Sequence, residues 1–163
     1  MRYQGNWKNN NRHGYGEYKE GNSIYTGNWK DDKRWGKGKI TIKKQHSISG
    51  TFRHTDLKGK VTMDFWKPFH ITYFTKAKKY IGNIHKETFQ PHGKGYFVLK
   101  GKKVAIGNWK NGVFSGNGIY DYVDGSQYEG EWFEGKYHGN GKFKSVSGSI
   151  YNGAWQFGLK DGH

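Results

Sequence analysis

With 163 residues and 33% apolar content, the chain has room for one domain or one array of small units but lacks the aliphatics for a thick core. Its 7 Trp, 12 Tyr and 10 Phe nevertheless exclude a disordered polybasic tail, so the ordered structure is expected to be thin and to bury rings. No cysteine is present, which excludes a disulfide framework and thiolate chemistry, and a net charge of +15 points to a polyanionic partner.

Taken in chain order, one motif recurs: "YQGNW" at Tyr3, "YTGNW" at Tyr25, "ISGTF" at Ile48, "YIGNI" at Tyr80, "AIGNW" at Ala105, "YEGEW" at Tyr128 and "YNGAW" at Tyr151. Successive starts lie 22, 23, 32, 25, 23 and 23 residues apart. A second motif follows most of them, as "HGYGEY" from His13, "WGKGKI" from Trp35, "HGKGYF" from His92, "SGNGIY" from Ser115 and "HGNGKF" from His138. Self-similarity at this period marks an array of small supersecondary units.

Each unit predicts a β-hairpin. Alternate residues of a strand share a face, so Tyr3, Gly5 and Trp7 point one way and Gln4, Asn6 and Lys8 the other. Gly14, Gly16 and Tyr18 share a face on the second strand. The stretches between the half-motifs ("KNNNRH", "KDDKRW", "KNGVFS", "FEGKYH") carry the Asn, Asp and Gly of hairpin loops. A strand glycine costs ~0.5–1 kcal/mol in conformational entropy. A packed ring pair returns ~0.5–1.5 kcal/mol beyond area burial. Glycine opposite a ring is therefore sustained only when the arrangement is stacked repeatedly.

Units reading Y-x-G-x-W, polar loop, then G-x-G-x-aromatic resemble MORN (membrane occupation and recognition nexus) repeats over nearly the whole chain. The resemblance implies an all-β fold: an elongated single-layer antiparallel sheet of tandem hairpins, a rod irregular in its middle. The whole of 1–163 is expected to be one array with units near 3, 25, 48, 80, 105, 128 and 151. The third unit has Val61 where the second glycine belongs and is followed by an insertion, so 48–79 is expected to be degenerate, with 66–79 a longer hairpin, a kink or a partner-binding excursion. The fourth has Ile84 in place of Trp and a longer loop containing Pro91, and the last stops before its G-x-G strand.

Apparent catalytic and ligand signatures dissolve into the repeat. Gly130 to Lys136 has the spacing of a phosphate loop but continues with Tyr137 in place of Ser or Thr, and its Trp132 is the repeat's Trp. His13, His92 and His138 hold equivalent places in separate units, too far apart to share an ion. No catalytic residue, metal site or cofactor is therefore expected, and an enzyme is not.

The resemblance implies a non-catalytic scaffold that holds partner segments along an aromatic groove. The groove candidates are Tyr3, Trp7, Tyr18, Tyr25, Trp29, Trp109, Tyr120, Tyr128, Trp132, Phe143, Tyr151 and Trp155. The opposite face carries a basic row, Lys8, Lys30, Arg53 and Lys110, joined by Lys76, Lys78, Lys79, Lys102 and Lys103. Residues Met1–Lys110 hold 24 Lys or Arg against 7 Asp or Glu, and the remainder 4 against 6, so the basic face belongs to the first two thirds. The expected partners are other proteins of a larger complex, with tubulin or another acidic protein docking on the basic face. Anionic phospholipid is an alternative and nucleic acid a third. The expected setting is cytoplasmic, as a small subunit at the cytoskeleton or the axoneme of a cilium, or at a membrane periphery.

Overall fold

In the computed structural model the backbone is described for residues 1–70 and 76–162, and side chains for 1–65 and 79–162. All the described regular structure is antiparallel β, as expected from the alternation of side chains. The chain divides into two compact bodies, Met1–Lys67 and Pro68–His163. In the first, β1 (Arg2–Lys8), β2 (Asn11–Glu20), β3 (Ser23–Lys30), β4 (Lys33–Ile42), β5 (His46–Arg53) and β6 (Asp56–His70) pair in chain order, with β6 running through the boundary. The second holds β7 (Lys76–Ile84), β8 (Pro91–Leu99), β9 (Lys102–Lys110), β10 (Val113–Asp121), β11 (Gln127–Phe133), β12 (Lys136–Lys144), β13 (Ile150–Gln156) and β14 (Leu159–Asp161), again in chain order. The 66–79 insertion is in part drawn into the long β6 and β7; residues 71–75, and with them its proposed partner-binding excursion, lie outside the described residues.

Among the described residues seven hairpins close through two-residue loops in which both residues have positive φ, for example Asn9 and Asn10 at 49° and 60°, or Asp31 and Asp32 at 48° and 64°. This is the twist-matched turn that Asn, Asp and Gly favour. All but the β13–β14 hairpin are followed by a bulge. In the first hairpin the register runs from Gly5↔Gly16 to Trp7↔Arg12, so β2 spends more residues than β1 between the same two rungs.

The two glycines of each G-x-G serve different physical needs. The first occupies the bulge at positive φ, as Gly36 does at 64°; at Gly36 there is room for a side chain, the nearest atom to a Cβ there being Asn28 Nδ2 at 3.6 Å. The second has no room. A Cβ on Gly38 would lie 2.5 Å from Tyr25 Oη and 2.7 Å from its Cε2, because the Tyr25 ring lies flat across the paired backbone. Gly27 faces the same ring and the Gly38 Cα, each 2.6 Å from a Cβ placed there. The ring's tip is then anchored: Tyr25 Oη donates to the Asn28 carbonyl at 2.9 Å, and Tyr3, Tyr80, Tyr128 and Tyr151 repeat that bond three residues on.

Where the tyrosine is missing, the space is refilled. In the third hairpin Ile48 replaces it and Val61 replaces the second glycine, both fully buried. In the fifth, Ala105 replaces it and the Phe114 ring from β10 covers Gly107 and Gly118 instead. The departure at Val61 is thus a volume exchange, and β5–β6 remains a hairpin with Ile48↔Met63 in register.

Candidate partner-binding faces

The aromatic face is built by each hairpin covering its predecessor. Trp29 Nε1 donates to the Gly16 carbonyl at 3.4 Å, and Trp109, Trp132 and Trp155 do the same to Gly95, Gly118 and Gly141 at 3.3, 3.1 and 3.0 Å. A bare glycine permits this approach. The rings also meet edge to face, Tyr25 with Trp29 at 5.2 Å and Tyr128 with Trp132 at 5.1 Å.

This packing decides what a partner can reach. Of the expected groove residues, Tyr25, Trp29, Trp109, Tyr120, Tyr128, Trp132 and Trp155 are buried against each other and the glycines, Trp29 to 4% and Tyr128 to 0% exposure. They form the core of their bodies, or a groove's floor. Tyr3, Tyr18, Phe143 and Tyr151 are half-buried. Trp7 is 60% exposed, because it belongs to β1 and no described strand precedes it to supply the covering carbonyl.

One column on this face is not singled out by the sequence reading: the residue opposite each Trp. In the N-terminal body it holds Arg12, Arg34 and Leu57, opposite Trp7, Trp29 and Phe52. In the C-terminal body it holds Pro91, Phe114, Tyr137 and Lys160, opposite Ile84, Trp109, Trp132 and Trp155. The signal was its fixed place, two residues before the G-x-G in most units, but its residue type varies among cation, aliphatic and ring along the chain. The Arg12 guanidinium lies 4.3 Å from the Trp29 ring centre and 5.2 Å from that of Tyr18, a cation–π contact on both. Asp32 clamps it: Arg12 Nε and its backbone N–H both donate to Asp32 Oδ1 at 2.9 Å, and Nη2 donates to the Asp32 carbonyl at 3.0 Å. The backbone N–H first and the guanidinium second hold the Asp32 carboxyl below the usual carboxylate range. Arg34 lies over Tyr25 at 5.0 Å, and burial lowers its pKa. In the other body Tyr137 stacks on Tyr128 at 3.8 Å and bonds the Tyr122 hydroxyl, and burial first, then that bond, raises its pKa.

The residue between the glycine and the Trp also escaped the sequence reading, although "GNW" recurs. Asn28 and Asn108 donate Nδ2 across the bulge to the Lys37 and Asn117 carbonyls at 3.4 and 3.2 Å, and Glu131 accepts there from the Asn140 N–H at 2.9 Å.

Lys8, Lys30, Arg53, Lys79, Lys102, Lys103 and Lys110 are all exposed. Alternation puts Lys8, Lys30 and Arg53 opposite the rings in the N-terminal body and Lys79 and Lys110 opposite them in the C-terminal body. Lys102 and Lys103, adjacent in β9, point to different sides of their strand. Lys8, Lys30 and Arg53 each end a first strand beside its loop, in equivalent register. Among the described residues no carboxylate lies within ion-pair distance of these three. The side chains of Lys76 and Lys78 lie outside the described residues. Elsewhere Lys100, Lys102, Lys103 and Lys144 line a cleft of about 600 Å³ beside Tyr122 and Val123.

No curated protein matches the chain. The MORN-repeat family profile matches residues 3–21, 25–46, 106–127, 128–150 and 151–163, and passes over the stretch with the Ile48–Val61 exchange and the long β7–β8 loop. MORN repeats occur in scaffold proteins and in proteins that bind membranes or other proteins. With more than half of its length matched and a ring laid over paired glycines in the matched hairpins, the chain belongs to the MORN-repeat family.

Proposed function

We propose that the chain is a non-catalytic scaffold. It holds partner segments along the aromatic face and docks through its basic face on an acidic protein, as a small subunit of a cytoskeletal or ciliary assembly. One observation carries this reading: Lys8, Lys30 and Arg53 recur in register, exposed and without acidic partners among the described residues, on the face opposite the rings. Isolated surface cations are merely solvated, whereas a periodic row presents a field that an acidic surface or tail follows. Replacing Lys8, Lys30 and Arg53 together by Gln is expected to abolish co-sedimentation with microtubules at moderate salt, and unchanged sedimentation refutes docking through that row. Crosslinking of the affinity-purified chain tests the groove: contacts should fall on Tyr3, Trp7, Tyr18, Phe143 and Tyr151, the rings with accessible surface.

A second reading, peripheral binding to anionic phospholipid, is favoured by the cleft lined with Lys100, Lys102, Lys103 and Lys144, beside which Val123 is 74% exposed. Among the described residues no helix is long and apolar enough to cross a membrane. Flotation with phosphatidylserine vesicles, lost on changing Lys102 and Lys103 to Gln, supports it; no flotation of the unaltered chain removes it.

A further inference from the structure

Arg12 and Arg34 hold the same register position, opposite Trp7 and Trp29. In both cases the second loop residue of the following hairpin donates its backbone N–H to the arginine's carbonyl at 3.1 Å, Asp32 to Arg12 and Thr55 to Arg34. The backbone is repeated and the side chain is not. Asp32 turns its carboxylate back onto Arg12. Thr55 has none to offer, and among the described residues no carboxylate lies within ion-pair distance of Arg34; Glu20 acts on it only through space.

Thr55 is also the wrong residue for its backbone. Its φ is +81°, a left-handed conformation in which β-branched side chains are strained and Asp or Asn is favoured. Aspartate there would relieve the strain and neutralise a half-buried guanidinium at once. A strained residue beside a cation left without a counter-charge is what a functional position shows.

Resting on the scaffold reading above, we propose that Arg34 is a carboxylate-accepting site for an Asp or Glu of an acidic partner segment lying along the aromatic face of the N-terminal body. The planar guanidinium fork takes a carboxylate through paired N–H bonds while its face lies against a ring, here that of Tyr25. A carboxylate is favoured over phosphate because the equivalent arginine, in equivalent surroundings, already holds one. The body is suited to such a guest: Met1–Lys67 carries 15 Lys or Arg against 6 Asp or Glu. The guest's acid takes the place that Asp32 takes on Arg12.

The test is binding of fluorescently labelled poly-L-glutamate to the full chain. Thr55→Asp supplies the missing carboxylate from within and should weaken binding about tenfold or more, the worth of one charge-assisted bond. Gln156→Glu makes the same change in net charge at an exposed position of the C-terminal body, away from both Arg34 and the Lys8–Lys30–Arg53 row, and should leave binding nearly unchanged. Asp32→Asn frees Arg12 and should tighten binding. Thr55→Asp should unfold in urea no earlier than the unaltered chain, and earlier unfolding would overturn the strain argument. Equal loss in Thr55→Asp and Gln156→Glu would mean that only net charge is read, and no loss in Thr55→Asp would place poly-glutamate on the basic row instead; either result overturns the assignment to Arg34 while the scaffold reading stands. Poly-glutamate left unbound, with oligothymidylate or phosphatidylserine vesicles binding in a Thr55→Asp-sensitive way, would overturn the acidic protein segment as the guest. The scaffold reading fails separately, if crosslinking recovers no partner on the aromatic face.

Discussion

The interlock of tyrosine and second glycine predicts a strong coupling between Tyr25 and Gly38. The chain performs the exchange itself in its third hairpin, where Ile48 and Val61 stand at the two positions and both are fully buried. Gly38→Val alone should be severe. Its Cβ meets Tyr25 Oη at 2.5 Å, and the ring, 1% exposed and bonded to the Asn28 carbonyl, has nowhere to retreat. Overpacking costs ~1–3 kcal/mol. Displacing the Tyr25 hydroxyl leaves a partly buried carbonyl unmet for ~1–3 kcal/mol more. The single variant should therefore lose about 2–6 kcal/mol. Tyr25→Ile alone empties part of the ring's space and should lose about 2–4 kcal/mol. Together the substitutions recreate the Ile48–Val61 arrangement, and the double variant should lose at least about 2 kcal/mol less than the two singles combined. Urea unfolding of the full chain followed by Trp fluorescence measures this. Costs that add within about 0.5 kcal/mol would refute the claim that the glycine is there for the ring.

The remaining predictions concern single links. Trp132→Ala removes a buried ring and its bond to Gly118, and should cost about 3–5 kcal/mol, whereas Trp7→Ala, at a 60% exposed position, should cost less than about 1 kcal/mol by the same unfolding measurement. Burial pushes the hydroxyls of Tyr25 and Tyr128 from 10.0 up to about 12. The folded state thus holds protons that the unfolded chain releases, and the stability due to these neutral rings is complete below pH 10 and falls as pH rises towards 12. Tyrosinate absorbance should accordingly appear together with unfolding in that window; its appearance with native fluorescence intact would refute the burial argument. Gly36→Ala, with room around it but φ at +64°, should cost only about 1–2 kcal/mol, below Gly38→Val.

The hairpins themselves were legible without coordinates. Side-chain alternation puts Tyr3, Gly5 and Trp7 on one face whatever surrounds them, and loops such as Asn9–Asn10 and Asp31–Asp32 carry the residues that positive φ requires. Both are local properties, set within a few bonds. The tertiary structure decided whatever depends on a neighbouring hairpin. The two glycines of G-x-G look alike in sequence, yet Gly36 is set by its own backbone and Gly38 by a ring from another strand. Tyr25 and Trp29 looked like a binding surface, but each hairpin lays its Trp over the preceding glycine carbonyl and so turns most of these rings into core, leaving Trp7 uncovered. Whether an arginine is neutralised depends likewise on a loop some twenty residues further on, where Asp32 meets Arg12 and Thr55 does not meet Arg34. Local patterns record how a residue alternates; only the register between hairpins records what covers it.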